Sequence, residues 1–138
     1  YKIVRKGQFA YNPSRVNVGS IDMLSSFEEG ILSPMYVVFE TNNNELLPEY
    51  LYYHIKSNWF TGHIPMFVQG SVRDSLSFDG LSGMKFFIPS IDEQTAIANI
   101  LQSADKEIQL LKFKLEKLKE QKKGLMQVLL TGKVRVKI

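Results

Sequence analysis

The chain of 138 residues contains no cysteine and only two histidines. Without thiols there is no disulfide framework, no thiolate metal site and no cysteine nucleophile. The absence suits a reducing cytoplasm, which is the expected location. His54 and His63 stand nine residues apart, with no ligand cluster at metal spacing around them. Structural or exposed roles are expected for both, and no metal site. No apolar run approaches the roughly 20 residues of a membrane span, and no signal-peptide pattern opens the chain. It begins at Tyr1 inside strand-like sequence, so we expect a fragment whose N-terminal part is missing. Proline is absent after Pro89, and Gly124 is the only glycine between Ser90 and Gly132.

Catalytic signals are equally scarce. No glycine-rich phosphate loop followed by Lys-Ser/Thr occurs. Asn12-Pro13-Ser14 lacks the second proline and the aromatic of the adenine-methyltransferase motif, and no cofactor loop accompanies it. Ser103 and Lys106 have Ser-x-x-Lys spacing but no partner motifs. Asp22, Glu28 and Glu29 read as solvated loop acids. No active site and no bound cofactor are expected.

Hydrophobic residues make up 44% of the chain and charged residues 22%, ordinary for a globular protein. Net charge is +3, unevenly spread. Residues 1–90 carry seven bases against eight acids, net −1, and residues 91–138 carry ten against six, net +4. The first part therefore lacks the bulk basicity with which phosphate binding usually shows itself.

Residues 1–90 read as an α+β (or α/β) domain. Tyr1–Arg5 and Gln8–Tyr11 are expected strands separated by Gly7, and Asn12-Pro13 marks a turn. Gly30 and Pro34 bracket a break before a strand at Met35–Glu40. Asn42–Asn44 is a loop. Pro48 opens a helix carrying Leu51, Tyr52, Ile55 and Trp59 at helical spacing, which Gly62 stops. Gly70–Leu81 looks irregular, and Met84–Ile88 reads as a last strand ended by Pro89.

From Ser90 the pattern changes. Ser90 and Glu93 have capping-box spacing, and Asp92 and Glu93 suit the positive end of a helix dipole. Ile97, Leu101, Ala104, Ile108, Leu111, Leu115 and Leu118 recur at alternating intervals of four and three, continuing through Leu125 and Leu129. Lys122 alone breaks the seam; its stem is expected to lie along the groove with its ammonium in water. This is a heptad repeat, and it predicts a long C-terminal coiled-coil-type helix. About forty residues at a rise of about 1.5 Å extend roughly 60 Å. A ninety-residue domain is too small to cover that stripe, so a partner helix is implied. A core helix of an ordinary bundle is the plainer alternative; length and strict period favour the coiled coil. The Lys/Glu run from Lys112 to Glu120 reads as its solvated face.

Four stretches, Ala10–Ile21, Gly30–Phe39, Gly70–Phe78 and Ile88–Ile97, stand in order along the chain, the last continuing into Lys122–Gln127 and Leu129–Lys133. Together they resemble the second half of a target-recognition domain, with its following conserved helix, in specificity subunits of type I restriction–modification systems. The resemblance implies a partial DNA target-recognition domain at 1–90. It implies a spacer, dimerisation and methyltransferase-docking helix at 91–138. It implies double-stranded DNA as ligand, with each recognition domain reading half of a split site. It implies modification subunits that use S-adenosylmethionine, a restriction subunit that uses ATP and magnesium, and no catalysis in this chain. The partner helix would be a second conserved helix in cis or a second copy in trans, packed antiparallel.

Arg15 and Arg73 lie in turn-rich segments where binding residues often sit, and a guanidinium holds phosphate bidentately. Both are candidate phosphate contacts, followed by Lys6 and Asn17. The competing role for each arginine is a structural ion pair, for instance with Asp74. A structural coiled-coil oligomerisation protein that binds no DNA remains the alternative function, favoured by the near-neutral head. A modifying enzyme fused to such a module is excluded for these residues by the missing motifs.

Overall fold

The computed structural model describes residues 1–68 and 75–137. Two compact units are present, Tyr1–Asn99 and a second one from Ile100 onward. The head unit is α+β, and a long helix ends the chain.

Strand β1 (Lys2–Arg5) pairs antiparallel with β4 (Glu29–Leu32), placing Ile3 opposite Ile31 and Val4 opposite Gly30. Strands β2 (Phe9–Tyr11), β3 (Ile21–Met23) and β5 (Val37–Phe39) form a second antiparallel sheet in the order β3-β2-β5. The β1–β2 turn falls at Gly7, as expected. Two expectations about this region need correcting. Gly30 lies inside β4, where a Cβ would already be 3.5 Å from the Val4 side chain, and does not mark a break. Of Met35–Glu40, only Val37–Phe39 pairs.

Helix α1 (Pro48–Ile55) opens at its proline, as expected. It does not run on to Gly62. The chain breaks at Lys56–Ser57, and α2 (Asn58–Phe67) passes through both Gly62 and Pro65. Ser57 causes the break: its hydroxyl donates to the His54 carbonyl at 2.6 Å and accepts from the Phe60 N–H at 3.3 Å. One side chain thus ends the first helix and caps the second. A short helix, α3 (Phe78–Ser82), follows, capped by Ser77, whose hydroxyl accepts from the Gly80 N–H at 3.0 Å.

Met84–Ile88 is not a strand; it pairs with nothing in a ladder among the described residues. Its apolar residues serve packing. Met84 is buried in the core, Phe86 stacks on His54, and the Phe87 carbonyl accepts from the Tyr50 hydroxyl at 3.0 Å. The core joins Phe9, Tyr11 and Ile21 of the second sheet to Ile55, Phe60 and Ile64 of the helices, with Leu76 and Met84. Burial of this kind supplies most of the folding free energy.

Helix α4 (Ile91–Leu129) has 39 residues. The Ser90 hydroxyl accepts from the Glu93 N–H at 3.4 Å, the contact expected of a capping residue. Its first two turns belong to the head unit, where Ala98 and Gln94 are buried.

Candidate functional site

The Asn12–Gly19 turn is built by its own hydrogen bonds. Asn12 is buried, its N–H donates to the Ser20 carbonyl at 3.0 Å, and its side-chain oxygen accepts from the Ser14 N–H at 3.1 Å. The Arg15 carbonyl accepts from the N–H groups of Val18 and Ser20. Val16 points into the core, and Gly19 ends the turn at φ 85°, a conformation that L side chains rarely adopt. Arg15 and Asn17 are left on the outside of this fixed turn, both exposed. The Arg15 guanidinium forms no ion pair among the described residues. Of the expected phosphate contacts, these two are brought together.

Lys6 sits on the β1–β2 turn, and its ammonium pairs with the Glu28 carboxylate at 2.8 Å; both groups are exposed. Such a pair contributes about 0–1 kcal/mol, so a phosphate can displace Glu28 at small cost. Arg73 and Asp74 lie outside the described residues.

A cavity of about 330 Å³ opens in the head. Its wall comes from Phe39, Trp59, Phe78 and Phe86 among others, and Glu40 and Glu45 also line it. His54 lines it within a ladder of rings: Phe86 stacks on His54 at 4.0 Å, His54 lies 4.7 Å from Trp59, and Trp59 stacks on His63 at 4.1 Å. His63 Nδ1 meets the Trp59 carbonyl at 2.7 Å. Among the described residues the buried His54 Nε2 has no partner, and burial pushes the His54 pKa below the ordinary imidazole value. A neutral, stacked imidazole is a packing group. Among the described residues no group of side chains is arranged to hold a metal ion.

Gln94 was not legible as a functional residue. It is fully buried: its side-chain oxygen accepts from the Leu47 N–H at 2.8 Å, and its amide nitrogen donates to the carbonyls of Glu45 (2.8 Å) and Pro89 (2.9 Å). It ties the start of α4 to the loop before α1. The only sequence signal is its place one residue after the capping Glu93.

On α4 the heptad residues Leu101, Ile108, Leu111, Leu115, Leu118, Leu125 and Leu129 are all substantially exposed. Leu111, the most open of them, keeps 58% of its surface. Ile97 is half-buried and Ala104 exposed. A stripe of this length facing solvent calls for a partner helix.

The family described as the type I restriction modification DNA specificity domain matches residues 16–120, well over half of the chain. The chain belongs to this family. Among curated relatives of this DNA specificity domain is the type I restriction enzyme MjaVIII specificity subunit of Methanocaldococcus jannaschii. It is 27% identical over 98% of this chain and 33% of its own length. The HindI specificity subunit of Haemophilus influenzae is 27% identical over 79% of the chain and 24% of its own. The fold is that of the crystal structure of the HsdS subunit from Thermoanaerobacter tengcongensis, with a TM-score of 0.70 at 17% identity over 92% of this chain and 33% of that one. The specificity domain thus spans about a third or less of the length of these relatives.

Proposed function

We propose that this chain reads one half of a split double-stranded DNA site and positions partner subunits on it, without chemistry of its own. The observation that carries the reading is the single family match, which runs unbroken from the Arg15 turn side of the head into the exposed seam of α4. In this reading Arg15 and Asn17 hold the DNA backbone from a turn already fixed by hydrogen bonds, so little ordering entropy is lost on binding. Arg73 and Lys6 are further phosphate contacts. The helix docks modification subunits that carry S-adenosylmethionine, and a restriction subunit with ATP and magnesium completes the complex in the cytoplasm.

The seam itself argues for antiparallel pairing. A two-fold register sets Ile97 opposite Leu129, Leu101 opposite Leu125, Ile108 opposite Leu118 and Leu111 opposite Leu115. It also sets Lys122, the one misfit, opposite Ala104, where a small side chain leaves room for the lysine stem. Parallel pairing would instead set Lys122 against Lys122. Charge agrees: residues 91–107 carry four acids and one base, residues 108–138 nine bases and two acids. Antiparallel helices bring those opposite ends together.

The decisive experiment is co-expression with the methyltransferase encoded beside the gene, followed by mapping of methylated adenines. A stable complex that methylates a defined split sequence is expected. The competing reading, a coiled-coil protein without DNA binding, draws on the net charge of −1 of residues 1–90. Salt-sensitive DNA binding by the complex separates the two, since only the first reading predicts it.

A further inference from the structure

The charged and apolar groups at the two ends of this chain complement each other. After Glu120 the remaining eighteen residues carry five bases and no acid. They include Lys133-Val134-Arg135-Val136-Lys137, whose Val134 N–H donates to the Val128 carbonyl at 3.0 Å; once extended, such an alternation puts the valines on one side and the cations on the other. Val134 and Val136 are both exposed. The head offers the counterpart: an apolar, aromatic-walled cavity that Glu40 and Glu45 also line, the Glu40 carboxylate accepting from the Gln8 amide at 3.0 Å. Glu93 lies close by; the Gln94 amide is bonded to the Glu45 carbonyl, and burial first, then the Glu93 charge, raises the Tyr50 pKa. Carboxylates there repel a phosphate backbone and attract a cationic, apolar segment.

We propose that the Lys133–Lys137 segment of a second copy of this chain seats its valines in the head cavity, with its cations on Glu40, Glu45 and Glu93. The inference rests on the antiparallel pairing proposed above and adds a contact that pairing alone does not require. In the register that sets Ile97 opposite Leu129, the helix of one copy ends beside the start of α4 of the other. Gly132, at φ 72°, turns the chain there. The segment that follows emerges level with the partner's residues 88–93, and Ile88 is part of the cavity wall. Both halves of the contact belong to the same sequence, so a two-fold pair satisfies both heads and both tails at once. The stems of lysine and arginine are long enough to fold back to the rim while the valines point inward.

Because these 138 residues contain no cysteine, the introduced thiols are the only ones they carry and disulfide trapping in this chain is unambiguous. The double variant Ile88→Cys/Val136→Cys is expected to oxidise to a covalent dimer. Val18→Cys/Val136→Cys, with one cysteine on the exposed Asn12–Gly19 turn, is the control and should stay uncrosslinked. In the Ile88→Cys/Val136→Cys background, Glu45→Lys should lower the rate of trapping about tenfold, and adding Arg135→Glu should restore most of it. Light scattering is run on each protein. A dimer that forms no disulfide, or an oxidised monomer, overturns this contact and leaves helix pairing standing. A protein monomeric before oxidation overturns both.

Discussion

Replacing Gln94 tests whether the start of α4 is held to the head as the structure describes. The side chain is wholly buried and makes three hydrogen bonds, one accepted from Leu47 and two donated to Glu45 and Pro89. Its amide meets the Glu45–Leu47 segment as a neighbouring strand would, carbonyl to N–H and N–H to carbonyl. Each bond is worth about 0.5–1.5 kcal/mol net, and each buried group left unpaired costs about 1–3 kcal/mol. Gln94→Ala opens space that water can enter, so the unpaired groups are partly compensated and a loss of about 2–4 kcal/mol is expected. Against a total of about 5–15 kcal/mol for a domain, this is a large fraction. Gln94→Glu keeps the shape but sets a carboxylate against two carbonyl oxygens. Its folded-state pKa must rise, because the protonated acid can donate one bond and the anion none. The stability tied to that proton is present below the ordinary glutamate pKa and lost as pH rises through the folded value. The glutamate variant should therefore recover on acidification relative to the alanine variant. Denaturant titration followed by the single tryptophan, Trp59, and by helical circular dichroism measures both. A loss below about 1 kcal/mol for Gln94→Ala, or identical pH profiles for the two variants, would refute the reasoning.

Three further outcomes follow from the head. Gly62→Ala should stabilise by about 0.5–1 kcal/mol, since a Cβ there meets nothing within 4 Å in the middle of α2; thermal melting checks it. Arg15→Ala should weaken DNA binding for every sequence tested and reduce the slope of log affinity against log salt by about 0.9; an effect confined to one sequence would mark a base contact instead. Burial lowers the His54 pKa, so the unfolded chain takes up that proton first. Its share of stability is full above the ordinary value of 6.5 and falls as pH drops toward the folded value. His54→Phe, which keeps the ring stack, should flatten that part of the stability profile.

The long helix, 39 residues, was legible because one period runs from Ile97 to Leu129 and is broken only at Lys122. Of the short strands, β1, β2 and β5 fall within expected segments, while β3 and β4 were not legible. Three or four residues leave no room for alternation to show, and β3 was invisible for that reason, while β4 also contains Gly30. The break at Ser57 depends on a hydroxyl serving two backbone groups, a choice that composition does not reveal. Met84–Ile88 has the residues of a strand because it packs across the core, and packing and pairing ask for the same side chains. The Arg15 turn could be read from Asn12-Pro13, whose geometry is local. Gln94 and the cavity could not, because their partners come from segments distant in the chain.

Arg15 and Asn17 lie on a turn that contributes no residue to the cavity wall, so in the proposed reading backbone contact and partner docking use different surfaces of the head. That separation is what the proposal requires if residues 1–90, of net charge −1, are to serve a polyanion. With few local contacts of that kind, affinity in this reading comes from holding two heads at once. Linking two weak sites raises affinity through effective concentration without any new contact. Leu111→Lys/Leu115→Lys tests this directly. In the antiparallel register these residues face each other, so the double variant places four lysines in the two central layers. Each lost leucine removes about 1.5–3 kcal/mol of burial, about 6–12 kcal/mol for the pair of chains, and the like charges add to that. Light scattering should show monomer. The salt slope of DNA binding should fall to about half, because each copy then neutralises only its own phosphates. Undiminished mass would refute the seam. A monomer that keeps the full salt slope would refute the division of DNA contacts between two heads.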